Sequence, residues 1–171
     1  MNKVRLTLPI SDEKDLLSIK KGDEVIISGK LFVARDAAHK RIFDSCNSLK
    51  LDFLGSGIYY MGPSEKKEGD VIGSAGPTTS QRMDKYTPYM LSLGARVLVG
   101  KGPRSNEVKN ALKEHKSVYL QAFGGCGALY SSVIRSAEPI AYTDLLSEAL
   151  LSIEVEDMVT ICIIDSNGEV F

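Results

Sequence analysis

Between Gly94 and Gly127, β-rich runs and helix starts alternate with glycine-bearing loops between them, and this alternation constrains the fold more than any other feature of the chain. Residues 96–100 read as a strand, and Lys101-Gly102-Pro103-Arg104-Ser105 leads into a helix with Val108 and Leu112 on one face. Residues 117–122 read as a second strand, and Gly124-Gly125-Cys126-Gly127 opens another helical segment. Strands joined through a helix run parallel, so this part predicts a partly parallel sheet with helices packed against it. The first third reads differently. Val4, Leu6 and Leu8 alternate with polar neighbours in a strand that stops at Pro9, and Ser11 is placed to cap a short helix carrying Leu16, Leu17 and Ile19 that ends near Gly22. Residues 24–27 and 31–34 are short β-rich runs joined by Ser28, Gly29 and Lys30, which predicts a hairpin or a tight strand connection and hence an antiparallel or mixed second layer. A helix is expected to start near Asp36, strands at Ile58-Tyr59-Tyr60 and at residues 70–74, and a helix capped by Thr87, with Pro88 in its first turn and its end at Gly94. The expected fold is α/β, with a mixed sheet and a second β layer.

The 171 residues show no repeat period and no linker, the longest polar stretch being residues 62–70, so residues 1–171 are expected to form a single domain. With 21 basic and 22 acidic side chains the net charge is −1, which gives no broad field for nucleic acid or anionic lipid; a charged ligand must be caught locally. No run of eighteen apolar residues is present and the first residues lack the apolar core of a signal peptide, so a cytoplasmic location is expected. Cys46, Cys126 and Cys162 are odd in number and in no Cys-x-x-Cys pair, which reads as reduced thiols rather than a disulfide framework or zinc site.

Three loops concentrate glycine, hydroxyl and cationic groups: Ala34-Arg35-Asp36-Ala37-Ala38-His39, Gly76-Pro77-Thr78-Thr79-Ser80-Gln81-Arg82 and Gly100-Lys101-Gly102-Pro103-Arg104-Ser105. Each sits between a strand and a helix, where ligands of α/β sheets collect and helix N-termini favour anions. Arg35 and Arg82 suit bidentate grip of carboxylates, and Lys101 supplies a compact charge beside glycines, so a small di-anion matches the set. The blander reading of each arginine alone is a solvated or paired surface charge. Thr78 or Thr79 could face the anion as a proton acceptor, or simply cap a helix. His39, four residues after Arg35, could orient Asp36 or the ligand, or be a structural histidine. Neither Gly29-Lys30 nor Gly100-Lys101 is flanked as a nucleotide-binding phosphate loop requires.

The order of these segments, from Ala-Arg-Asp-Ala-Ala-His through Ala-Gly-Pro-Thr-Thr-Ser-Gln-Arg-Met-Asp at residues 75–84, Thr87-Pro88, Gly100-Lys101-Gly102 and Gly124-Gly125 to Glu154-Val155-Glu156-Asp157, resembles the C-terminal domain or beta subunit of the iron-sulfur hydro-lyases, class I fumarate hydratases and L-tartrate dehydratases. The resemblance implies the swivelling β/β/α fold and reversible hydration of a four-carbon dicarboxylate, such as fumarate to L-malate. It implies a [4Fe-4S] cluster whose open iron acts as a Lewis acid and whose three cysteine ligands belong to a separate alpha subunit. It further implies that Arg35, Arg82, Lys101 and Thr79 bind substrate and that Thr78 is the catalytic base, with His39 a secondary catalytic candidate and no metal ligand in this chain. An obligate hetero-oligomer, a dimer of alpha-beta pairs, is expected, with the cationic groups unpaired until the partner closes the site. The Thr-Thr-Ser-Gln-Arg-Met-Asp string followed by Tyr86-Thr87-Pro88 looks more like fumarase. L-tartrate dehydration and a non-catalytic dicarboxylate-binding module are the alternatives.

Overall fold

The computed structural model describes all 171 residues. Its strands are β1 (Lys3–Leu8), β2 (Glu24–Val33), β3 (Gly57–Tyr59), β4 (Val97–Gly100), β5 (Val118–Gln121), β6 (Ile134–Ala141) and β7 (Leu150–Ile164). They join in one mixed seven-stranded sheet of order β1-β2-β3-β4-β5-β7-β6, and a further pairing of β2 with β7 closes β2, β3, β4, β5 and β7 into a five-stranded barrel. Closure leaves β1 and β6 as added strands and removes the open edges of the central sheet. The helices are α1 (Lys14–Leu17), α2 (Asp36–Asp44), α3 (Thr87–Ser92), α4 (Asn106–Glu114) and α5 (Gly127–Ser132), with 3₁₀ segments at Ser80–Met83 and Thr143–Glu148. None is long and apolar enough to cross a membrane.

Side chains alternate across the barrel wall with the period of two that a strand imposes. Val25, Ile27, Leu31, Val33, Tyr59, Val97, Val99, Val118, Leu120, Ile153 and Val155 fill the interior. Phe32, Ile58, Leu98, Tyr119 and Ile164 face outward and are covered by Ala38 and Ile42 of α2, Met90 and Leu91 of α3, and Val108 and Leu112 of α4. The α/β architecture and mixed sheet are as expected, but the layering comes from one sheet closing on itself.

The predicted hairpin at residues 28–30 is absent. β2 runs unbroken through Gly29, pairing in parallel with β1 and β3 and antiparallel with β7. Gly29 has φ +105° and its Cα lies against the Leu8 carbonyl, so the glycine permits close strand approach rather than a turn. Pairing within the first third, β1 with β2, is therefore parallel, and β2 is mixed only because β7 of the last third runs antiparallel to it, as β7 does to β5 and β6. Residues 70–74 form no strand but a loop with bends at 71–73, held by the Ser64 N–H donating to the Ser74 carbonyl (3.2 Å). Ser11 does not cap α1, whose N-cap is Glu13; the Asp12 carboxylate accepts from the Lys14 N–H at 2.9 Å. Thr87 is no cap either, because its hydroxyl donates to the Met83 carbonyl (2.9 Å).

Candidate active site

β2, β3, β4 and β5 are parallel, so their C-terminal ends lie along one edge of the barrel. Arg35 follows β2 there as the N-cap of α2, in extended conformation. The segment after Ala75 then crosses this edge. Pro77 bridges to Met61, the Thr78 N–H donates to the Tyr60 carbonyl (2.7 Å), and Thr79 bridges to Lys101. The Ser80 N–H donates to the Lys101 carbonyl (2.9 Å) while the Lys101 N–H donates to Ser80 Oγ (3.0 Å). A Cβ on Gly100 would collide with Ser80 Oγ, so only glycine lets the crossing segment lie this close to the end of β4. The backbone thus puts Thr78 on the end of β3, Thr79 beside Lys101 on the end of β4, and Arg82 in the 3₁₀ turn that faces the start of α2.

The side chains differ in freedom. Thr78 is half-buried and Thr79 exposed. Lys101 extends along Gly124, whose ideal Cβ would lie 3.7 Å from Cδ and 3.9 Å from Nζ, and no carboxylate pairs with it. The two arginines do not match the expectation of unpaired cations. Arg35 Nε lies 3.5 Å from Glu148 Oε1, and Arg82 Nη1 lies 4.0 Å from Asp36 Oδ1. Neither separation reaches hydrogen-bonding distance, so each carboxylate lowers the local positive potential without occupying the guanidinium fork.

His39 stands apart from this set. It is fully buried, its Nδ1–H donates to the Arg35 carbonyl (2.7 Å), and its ring lies against Tyr60 and Tyr86 at centroid distances of 5.4 and 6.3 Å. Because the carbonyl only accepts, Nε2 carries the lone pair, and it has no partner. Burial pushes the imidazole down to about 4, against the Arg35 carbonyl that favours the proton, and the Arg104 charge adds to the fall. Of its two sequence-level roles the structural one matches this placement: a neutral imidazole beneath Arg35.

Sequence reasoning passed over the groups that hold the loops. Arg104 has no exposed side-chain surface; its Nε donates to Asp84 (2.6 Å) and its Nη2 to Thr87 Oγ1 (2.6 Å), and it stacks over Tyr60 and Tyr119. Asp84 also accepts from the Ser105 N–H (2.7 Å), and the Tyr119 hydroxyl is hydrogen-bonded to Ser80 (3.0 Å) and to the Gly102 carbonyl (2.9 Å). These bonds tie the Arg82 segment to the Lys101 loop. Arg104 and Asp84 stood inside the quoted motifs, but nothing in a linear string separates a buried arginine from a ligand-facing one.

The [4Fe-4S] cluster that the sequence resemblance implies does not fit the residues of this chain. Cys46 is exposed, Cys126 half-buried and Cys162 buried, and no three His, Cys, Asp or Glu side chains group to hold a metal. Burial pushes the Cys162 thiol up to about 12, so it stays protonated inside the barrel.

Fold and site together define an α/β barrel domain with a cationic, hydroxyl-bearing strand edge. The family model described as Fumarase C-terminus matches residues 1–171, and the chain belongs to that family. It is 38% identical over 172 residues to "Fumarate hydratase 2" of Leishmania major, covering 97% of this chain but 30% of that protein. It is 35% identical over 165 residues to "Putative L(+)-tartrate dehydratase subunit beta" of Methanocaldococcus jannaschii (91% of this chain, 85% of that one), and 30% identical over 168 residues to "L(+)-tartrate dehydratase subunit beta" of Escherichia coli (95% and 83%). The chain is thus homologous to class I fumarate hydratases and to tartrate dehydratase beta subunits, and spans 27–32% of the length of the first and more than four-fifths of the second.

Proposed function

We propose that this chain, a swivelling β/β/α domain, supplies the substrate-gripping half of a hydro-lyase site and acts with a separate cluster-bearing alpha subunit on a four-carbon dicarboxylate, hydrating fumarate to L-malate. The observation that carries this is the shared strand edge: Arg35, Arg82, Lys101, Thr78 and Thr79 come from three separate motifs and are brought to it by parallel pairing of β2, β3 and β4. Arg35 and Arg82 take the carboxylates, Lys101 steadies charge that builds on the carbon skeleton, Thr79 adds a hydroxyl contact, and Thr78 receives the carbon-bound proton. His39 supports Arg35 from below. The assembly is a cytoplasmic dimer of alpha-beta pairs.

L-tartrate dehydration is the second reading, favoured by length: the chain covers 85% and 83% of two tartrate dehydratase beta subunits and only 30% of the fumarate hydratase. Anaerobic co-expression with an alpha-type chain, followed by assays of fumarate hydration and tartrate dehydration, separates them. Activity of the pair and of neither chain alone is expected, with fumarate the better substrate; malate binding without turnover in any pairing would instead indicate a binding module. In the active pair, Thr78→Ala should lower kcat by about 10²- to 10⁴-fold with KM within a few-fold. Near-normal turnover in that variant would remove Thr78 as the base.

A further inference from the structure

The Arg35 guanidinium is wedged between two groups outside its own motif. On one side is Gly62, where an ideal Cβ would lie 2.6 Å from Arg35 Cδ and 2.7 Å from Nη1, so the side chain crosses the glycine at backbone distance. On the other is Glu148, with its Oε1 3.5 Å from Nε. Both atoms are shielded from water and neither has another partner, so each depends on the other for compensation. Glu148 ends the 3₁₀ segment Thr143–Glu148, which is fastened to α2 a second time where Arg41 grips Asp144 through both oxygens at 2.7 and 2.5 Å. Between the two attachments Leu146 holds φ 53° and ψ −116°, a strained backbone state that persists only where the surroundings enforce it.

We infer that Glu148 is the positioning residue for Arg35: its carboxylate holds the Nε edge of the guanidinium so that the Nη atoms are presented, already oriented, to one carboxylate of the substrate. This rests on the reading above that Arg35 grips a substrate carboxylate. An arginine side chain has four rotatable bonds, and fixing its edge before binding lowers the ordering cost of the ligand complex. Glu148 lies in the last third of the chain, far in sequence from the loops it serves.

The test uses the chain paired with its alpha-type partner. Glu148→Gln keeps size and removes charge; KM for fumarate should rise about tenfold with kcat within about twofold, since the loss falls on substrate binding. Glu148→Asp should recover part of the loss. In an Arg35→Lys background, which has no Nε, Glu148→Gln should add no further rise. Arg41→Gln releases only the outer attachment and should leave both constants at the parent values. The inference is overturned by an unchanged KM in Glu148→Gln, by effects that add in full with Arg35→Lys, or by an Arg41→Gln variant that shows the same rise. If Glu148→Gln does not accumulate as folded protein, Glu148→Asp reads the same quantity. Titration of the isolated chain with succinate gives a second readout, in which Glu148→Gln weakens binding about tenfold. A parent chain that neither binds succinate nor yields an active pair fails the functional reading, whereas a binding parent with an indifferent Glu148→Gln fails this inference alone.

Discussion

Arg82 and Arg104 carry the same guanidinium and lie on neighbouring loops, yet their surroundings are opposite. Arg104 has 0% side-chain exposure, a carboxylate at 2.6 Å, a hydroxyl at 2.6 Å and two tyrosine faces about its Cζ at 4.9 and 5.3 Å, with Nη1 alone left without a partner. Arg82 is 51% exposed and its nearest carboxylate is 4.0 Å away. Asp84, the partner of Arg104, is two residues beyond Arg82, so the buried arginine anchors the very turn that carries the free one. A cation saturated with partners stiffens the loops, and a cation left slack is available to a ligand. The two roles require opposite environments, and the short segment 80–84 supplies both.

The sharpest way to break this contrast is to remove the anchor. Arg104→Leu keeps bulk but leaves Asp84 buried with only the Ser105 N–H, and breaking a buried pair in this way should cost about 3–5 kcal/mol. Urea unfolding of the isolated chain measures it. A loss below about 1 kcal/mol would show that the aromatic packing, and not the charge pair, holds the two loops together.

His39 sharpens the same comparison through pH, because it lies under Arg35 and feels the Arg104 charge. Its imidazole is held at about 4 in the folded chain against 6.5 in the open one. As pH falls, the unfolded chain therefore takes up the proton first. The contribution is complete above pH 6.5 and is lost progressively down to about pH 4, amounting to on the order of 3 kcal/mol at most. His39→Gln should remove that slope, so the difference between parent and variant unfolding free energies should change across this window and level off on either side. A difference independent of pH would mean that His39 is hydrated and titrates freely.

Part of this organisation was legible in the residues. The helices after Gly124 and near Asp36, the strands at residues 96–100 and 117–122, and the cationic loops between them follow from local pattern. At Gly29 local pattern misleads, because glycine between two β-rich runs is a turn signal and what it marks here is a close approach to Leu8. The parity was the better guide: Val25, Ile27, Leu31 and Val33 are all odd-numbered and all point inward, which one continuous strand explains and a hairpin does not require. Strand β7 escaped because its partners, β2, β5 and β6, are distributed along the chain and only closure of the barrel brings them to it. The place of Glu148 and the buried role of Arg104 are hidden for a related reason. Local pattern does not report which carboxylate a distant arginine will meet, or whether water will reach it.

The mildest perturbation tests the slack side of the comparison. Arg82→Gln removes a half-exposed charge whose separation from Asp36 is too long for a hydrogen bond, and such contacts contribute little because solvent screens them and the side chain loses freedom in making them. The unfolding free energy of the chain should therefore shift by less than about 0.5 kcal/mol, and raising the salt concentration should not enlarge the shift. On the function proposed above, the same substitution should damage both KM and kcat of the paired enzyme, because a carboxylate ligand would take the two donors that the fold leaves idle. A stability loss above about 1 kcal/mol would place Arg82 with Arg104 as a structural cation. The site would then have only Arg35 and Lys101 to meet two carboxylates, and the recognition of a doubly charged substrate would have to draw on cations from the partner chain.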